Sequence, residues 1–150
     1  MPLRKSSAST GARILLVDDN AHGLAARKNV LEELGHHTVT ASSGAEALEC
    51  ALKQKFSLVV TDYKMPCMDG LELIGLLRKQ SPGVPVILVS GFVDTLGLNE
   101  QNTGADAVIQ KSANEVSHLI RAVSRLLNRK PLKKPPAGET RPAKPKRKSS

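Results

Sequence analysis

The chain has 150 residues, a length that allows one domain and little more. Its net charge of +8 belongs to its ends: residues 129–150 carry nine basic residues and one acidic residue, whereas 11–128 carry 11 and 13. The first apolar run, 13–17, is too short for a signal peptide or membrane span, so we expect a cytoplasmic protein. Two cysteines, Cys50 and Cys67, exclude a disulfide framework.

Short apolar runs alternate with helical patterns along the chain. The predicted strands are 13–17, 37–41, 58–61, 86–89 and 107–109. The predicted helices run over about 21–34, 43–53, 69–79 and 95–102, and a last helix follows the fifth strand. The helix at 95–102 is expected to be poor because it contains glycine and asparagine. Five β/α units predict an α/β doubly wound parallel sheet with helices on both faces.

Three segments resemble helix starts in which a short polar side chain precedes a glutamate by three positions. They are Ser43–Glu46, Asp69–Glu72 and Ser112–Glu115. This pattern predicts an N-cap at the first residue of each. We assign Asp69 and Gly70 to structure, as a cap and a turn.

Polar side chains follow the predicted strands where the strands end. Asp18 and Asp19 follow the first strand, and Asp62 follows the third. Carboxyl ends of parallel strands share one edge, where open α/β folds place their ligands, so these carboxylates should converge. Ser90 follows the fourth strand, and Lys111 lies just after the fifth. Each alone could be a helix cap or a surface charge, but the set favours a site.

Crowded carboxylates at this edge predict a metal ion. Three neighbouring negative charges repel, and some would be pushed toward the neutral form. A bound divalent cation removes that conflict. Oxygen-only ligands with room for waters and a phosphoryl group suit Mg²⁺ rather than zinc.

The sequence resembles the response regulator receiver domain, the CheY-like module of two-component signalling. The matching features are Ile-Leu-Leu-Val-Asp-Asp at 14–19, Thr-Asp-Tyr-Lys-Met-Pro-Cys-Met-Asp-Gly at 61–70, Ser90, and Gly104-Ala105-Asp106 leading to Lys111. The resemblance covers about 12–128 and implies a five-stranded flavodoxin-like sheet of order 2-1-3-4-5. Outside it, residues 1–11 and the basic, proline-rich tail 129–150 are expected to be disordered.

The resemblance also implies a function. Asp62 would be the phosphoacceptor, receiving a phosphoryl group from a phosphohistidine of a sensor histidine kinase or histidine phosphotransfer protein. Lys111 and Ser90 would bind phosphoryl oxygens and form the switch. The implied Mg²⁺ ligands are Asp18, Asp19, Asp62 and the backbone carbonyl of Lys64. The protein would then be a stand-alone receiver rather than an enzyme, signalling through contacts with an unknown downstream protein.

Four positions depart from the family pattern or tune it. Val108 stands where the family commonly carries an aromatic residue that turns inward on activation. Ser112 replaces the proline that usually follows the lysine, so the usual cis peptide should be absent. By resemblance, Lys64 and Phe92 flank the approach of the hydrolytic water. Their bulk predicts slow self-dephosphorylation.

Other functions stay open. One is a receiver-shaped adaptor that is never phosphorylated, and another is a Mg²⁺-dependent phosphatase, for which the sequence shows no lid or substrate pocket. A third is an electrostatic nucleic-acid binder through 129–150 that is gated by the receiver, although this tail lacks aromatic residues for base stacking. Its prolines oppose a membrane-surface helix, so no membrane partner is expected. A homodimer through the last two β/α units is also left open.

Overall fold

Five strands and five helices alternate along the part of the chain that the computed structural model describes, residues 11–91 and 96–128. The strands are β1 (Arg13–Val17), β2 (His37–Ala41), β3 (Leu58–Asp62), β4 (Val86–Ser90) and β5 (Ala107–Gln110). The helices are α1 (Ala21–Glu33), α2 (Gly44–Lys53), α3 (Gly70–Gln80), α4 (Glu100–Thr103) and α5 (Glu115–Asn128). The predicted disorder of 1–11 and 129–150 concerns segments that lie almost wholly outside the described residues.

All neighbouring strands are parallel, in the order β2-β1-β3-β4-β5, which confirms the predicted fold class. Every residue of β3 and β4 is buried, as expected for apolar strands covered on both faces. The register pairs Val17 with Thr61. The residues that follow, Asp18 and Asp62, are therefore neighbours at the carboxyl edge of the sheet.

Alternate residues of each strand supply two separate cores. Ile14 and Leu16 pack on the face that also contains Leu31 of α1 and Leu119 of α5. The opposite face collects residues from β1, α2 and α3. Its members include Leu15, Val17, Ala47, Leu73 and Leu77. The sheet is thus held between two helical layers, and its carboxyl edge is left for polar groups.

Two of the predicted helix starts are confirmed. Asp69 accepts a hydrogen bond from the Glu72 N–H at 2.9 Å, and the Glu72 carboxylate accepts from the Asp69 N–H, a complete capping box. Ser43 accepts from the Glu46 N–H at 3.1 Å. The carboxylate of Glu46 accepts instead from the N–H of Ser42, so this second box is only half formed.

The third predicted box is wrong. Ser112 Oγ accepts a hydrogen bond from the Asn114 N–H at 3.2 Å, and α5 begins only at Glu115. The carboxylate of Glu115 does not return to Ser112, because it is taken by Arg27 of α1. A partner distant in the chain has overridden the local pattern.

Two element details also differ from prediction. Leu96 is helical, residues 97–99 are not, and α4 begins at Glu100 behind an Asn99 cap and ends at Thr103, so the predicted helix 95–102 is interrupted. Thr95 lies outside the described residues. The predicted helix 21–34 ends one residue earlier, at Glu33, and Leu34 at its C-cap is 47% exposed.

Two further expectations, on the cysteines and on the peptide bond before Ser112, are met within the described residues. Cys50 and Cys67 are both free thiols. No described peptide bond is cis, as Ser112 in place of proline predicts. The described helices include none long and apolar enough to cross a membrane.

Candidate metal centre

Three carboxylates meet at the carboxyl edge of the sheet. Asp18, Asp19 and Asp62 each offer an oxygen, and these atoms lie within 4.8 Å of one another. Asp18 and Asp62 are buried, whereas Asp19 is exposed. The three carboxylates therefore converge as predicted, with two of them in the protein interior and one at the protein surface.

Asp62 is paired with Lys111. The ammonium of Lys111 lies 2.7 Å from Asp62 Oδ1, and its backbone N–H donates to the carbonyl of Ser90 at 2.9 Å. Burial raises the pKa of Asp62, and the charge of Asp18 adds to this, while the hydrogen bond from Lys111 opposes it. A second cation beside Asp62 would therefore favour the ionised form of its carboxylate.

Asp18 has a cation of its own, which the sequence did not reveal. Arg27 Nη1 donates to Asp18 Oδ2 at 2.8 Å, and Arg27 Nε donates to Glu115 Oε2 at 3.0 Å. Burial opposes the charged guanidinium, but these two carboxylates together raise the pKa of Arg27. The spacing of Leu24, Arg27 and Leu31 indicated that Arg27 faces the core, but it did not indicate which carboxylates Arg27 would meet there.

Close backbone approach shapes the pocket at two glycines. A Cβ on Gly23 would lie 2.8 Å from Asp18 Oδ2, so α1 passes directly over that carboxylate. A Cβ on Gly70 would lie 2.6 Å from the backbone oxygen of Asp62, and the Gly70 N–H donates to the Tyr63 carbonyl at 2.7 Å. The assigned turn at Gly70 therefore brings α3 against the end of β3.

The remaining predicted residues are Ser90, Lys64, Val108 and Phe92. Ser90 is buried at the end of β4, paired in register with Gln110. Lys64 is exposed in the loop after β3. Val108 is half-buried on β5, and its N–H donates to the carboxylate of Glu100 at 3.3 Å. Phe92 lies outside the described residues, so its predicted effect on dephosphorylation stays a prediction, as do the roles of the other three.

The donor set fits Mg²⁺. Hard carboxylate oxygens are available, one of them exposed enough to leave room for water ligands. The hydrogen bonds at Asp18 modify this fit. Its Oδ1 accepts from the Asn20 N–H at 2.9 Å and its Oδ2 from Arg27. A metal ion at Asp18 would therefore share an oxygen with the Asn20 N–H or with Arg27, or would bind through a water.

Comparison with known proteins identifies the class. The family model for the response regulator receiver domain matches residues 14–124. The chain is 34% identical over 119 residues to the alkaline phosphatase synthesis transcriptional regulatory protein PhoP of Bacillus subtilis, covering 75% of this chain and 48% of PhoP. It is 38% identical over 81 residues to the response regulator protein FleR of Pseudomonas aeruginosa, covering 54% of this chain and 17% of FleR.

Solved structures agree with this match. The response regulator protein TrrA of Thermotoga maritima, solved in complex with Mg²⁺-BeF, superposes with a TM-score of 0.69 at 32% identity, covering 76% of this chain and 97% of TrrA. A receiver domain protein of Clostridium thermocellum gives a TM-score of 0.70 at 30% identity, covering 78% and 94%. The chain belongs to the response regulator receiver domain family of two-component systems.

Proposed function

We propose that this receiver accepts a phosphoryl group on Asp62 from a phosphohistidine of a histidine kinase or phosphotransfer protein. The observation that carries the proposal is the buried Asp62 carboxylate, paired with Lys111 at 2.7 Å beside two further aspartates. A structural ion pair alone would not require those additional acids. TrrA, a structural neighbour solved in complex with Mg²⁺-BeF, supports metal binding by this receiver.

In this reaction the protein mainly positions the reacting groups and neutralises charge, and it takes part covalently only through Asp62. An oxygen of the Asp62 carboxylate attacks phosphorus, the phosphorus–nitrogen bond of the phosphohistidine breaks, and the imidazole nitrogen keeps the electron pair. Lys111 holds Oδ1, which leaves Oδ2 as the nucleophile. Lys111 then pairs with a phosphoryl oxygen as charge develops there. Mg²⁺ held by the three aspartates, with the Lys64 carbonyl as a fourth ligand, would neutralise phosphoryl oxygens.

Signalling follows from the added charge. An acyl phosphate on Asp62 brings about −1.5 to −2 charges to the sheet edge, taking the value for phosphorylated hydroxyls. Ser90 lies at the neighbouring strand end and is assigned as a hydrogen-bond donor to the new group. Its movement would alter the β4 and β5 edge, whose ends are joined by the Lys111 N–H. A downstream protein would read that surface.

Intact-mass spectrometry after incubation with Mg²⁺ and a small acyl phosphate tests the proposal. We expect one phosphoryl group on the wild type and none on Asp62→Asn. Asp69→Asn is the matched control, because it removes a carboxylate from the same loop while asparagine keeps the cap. This control should be phosphorylated like the wild type. An unmodified wild type, or equal modification of Asp62→Asn, would overturn the proposal.

One observation favours a second candidate, an adaptor that works without phosphorylation. Arg27 already neutralises Asp18, as a resident cation would in a pocket that needs no metal. On this candidate the wild type neither binds Mg²⁺ at millimolar concentration nor gains mass from the acyl phosphate. Calorimetric titration with Mg²⁺, run beside the mass measurement, separates the two functions.

A further inference from the structure

Arg27 connects two places that the fold otherwise keeps apart. Its guanidinium lies between Asp18, at the end of β1, and Glu115, in the first turn of α5. The side chains of Arg27 and Asp18 are 7% and 1% exposed, whereas that of Glu115 is 21% exposed. We call the two ion pairs Asp18–Arg27 and Arg27–Glu115 the Arg27 bridge. This bridge is buried at Asp18 and partly exposed to solvent at Glu115.

The position of the bridge distinguishes it from an ordinary helix-packing pair. Asp18 belongs to the group of carboxylates that could hold a metal, and Arg27 takes one of its two oxygens. The guanidinium and a divalent cation would thus compete for the same carboxylate. Because Gly23 leaves no room beside that oxygen for a side chain, α1 brings Arg27 to it at close range.

The charged groups around the metal site have a net negative charge, so a divalent cation can compete with Arg27 for Asp18. Among the described residues of this cluster and its ion pairs, the four carboxylates of Asp18, Asp19, Asp62 and Glu115 and the two cations Arg27 and Lys111 sum to a formal charge of −2. One Mg²⁺ would neutralise this negative charge. Removing Arg27 makes the cluster more negative, and neutralising Glu115 makes it less negative.

We propose that Arg27 is a positioning residue that competes with Mg²⁺ for Asp18 and, through Glu115, transmits metal occupancy to the first turn of α5. The inference rests on the metal site of the proposed function but not on phosphorylation itself. When a metal ion takes Asp18, Arg27 retains Glu115 as its counterion. Glu115 therefore lowers the cost of releasing Asp18, and metal binding tightens the contact between α1 and α5.

Competition between Arg27 and Mg²⁺ predicts that substitutions at Arg27 and at Glu115 change the Mg²⁺ affinity in opposite directions. Arg27→Gln should tighten Mg²⁺ binding about tenfold, a change of similar size but opposite sign to the loss of affinity seen when a group that orients a metal ligand is removed. Glu115→Gln should weaken it by about threefold, a smaller effect because Glu115 is partly screened by water. A purely structural bridge would be damaged equally by either change and would shift both affinities in the same direction or in neither.

The experiment is calorimetric titration of the full chain with Mg²⁺ alone, at physiological ionic strength so that distant charges are screened. Lys28→Gln removes a neighbouring cation on the same helix, whose own partner is the exposed Glu32. Glu33→Gln removes an exposed acid at the end of α1. Neither control should change the affinity. The single tyrosine, Tyr63, directly follows Asp62 and gives a second readout by fluorescence.

The outcomes separate the claims. Opposite shifts in Arg27→Gln and Glu115→Gln, with unchanged controls, support the proposal. Wild-type affinity in both variants overturns it while leaving the metal site intact, and absence of Mg²⁺ binding in every protein overturns the proposal and the metal site together. If Arg27→Gln does not fold, Arg27→Lys takes its place: it keeps the positive charge but cannot hold both carboxylates with one planar group, so competition still predicts tighter Mg²⁺ binding, and unchanged or weaker binding would overturn the proposal.

Transmission to α5 has its own readout. Hydrogen exchange at the amides of 115–118 should slow on Mg²⁺ addition in the wild type and stay unchanged in Arg27→Gln. Equal slowing in both proteins would show that α5 responds to the metal by another route, and would overturn the role assigned to Glu115.

Discussion

Two ion pairs lie side by side in this pocket and differ in their chemistry. Lys111 is 37% exposed and reaches Asp62 with a single ammonium, a point charge on a flexible stem. Arg27 is 7% exposed and uses two edges of its planar group to hold carboxylates from β1 and α5. Lys111 can turn toward a phosphoryl oxygen when new charge arrives at Asp62. Arg27 cannot leave without stranding Asp18, so the pocket combines a mobile cation with a fixed one.

The largest expected difference is in stability without metal. Arg27→Gln should lower the free energy of unfolding by about 3 kcal/mol, because it leaves the buried Asp18 charge uncompensated. Urea unfolding in the presence of a chelator measures this. The double variant Arg27→Gln, Asp18→Asn should recover much of the loss. A cost no larger than that of Lys28→Gln, whose exposed pair contributes about 0.5 kcal/mol or less, would contradict the fixed-cation account.

Lys111→Ala should cost less, about 1 kcal/mol in the same urea measurement. Water screens this pair more strongly, and Asp62 can take up a proton once its partner is gone. If Lys111→Ala destabilised the protein as much as Arg27→Gln, the distinction between a mobile and a fixed cation would fail.

A smaller effect should appear as pH dependence. Because burial raises the pKa of Asp62, the folded state binds this proton more tightly than the unfolded state does. The Asp62 contribution to stability is therefore greatest below the ordinary aspartate pKa of about 4 and falls as pH rises through the raised value. Relative to the wild type, Asp62→Asn should gain stability over that interval in chelator. Parallel stability curves for the two proteins would contradict the raised pKa.

The smallest expected effect concerns Lys64, which is exposed in the loop after β3. If Lys64 hinders the hydrolytic water, Lys64→Asn should shorten the acyl phosphate lifetime about threefold, which corresponds to less than about 1 kcal/mol in the barrier. Loss of phosphoryl mass over time measures the lifetime. Lys55→Asn, at another exposed loop lysine, is the control and should match the wild type. An unchanged or longer lifetime for Lys64→Asn would reject this role.

The same comparison shows what sequence patterns can predict. The Asp62–Lys111 pair was predictable, because both residues follow apolar strands and parallel strands end at one edge. The Arg27 bridge was not, because Arg27 and Glu115 are 88 positions apart and each fits a local pattern, a helix residue and a capping glutamate. The incorrect box at Ser112 and the missed bridge are thus one error. Local rules assigned Glu115 a nearby partner, and tertiary packing supplied a buried one.

The acceptor assignment is tested most directly by locating the phosphoryl group. Borohydride reduction of the phosphorylated protein converts an acyl phosphate into an alcohol, so the modified aspartate becomes homoserine. Peptide mapping should find homoserine at position 62 in the wild type, only after incubation with both Mg²⁺ and the phosphodonor. Homoserine at position 18, 19 or 69 instead, or a phosphoryl group that resists reduction because it sits on a hydroxyl, would contradict the assignment of Asp62 as the phosphoacceptor.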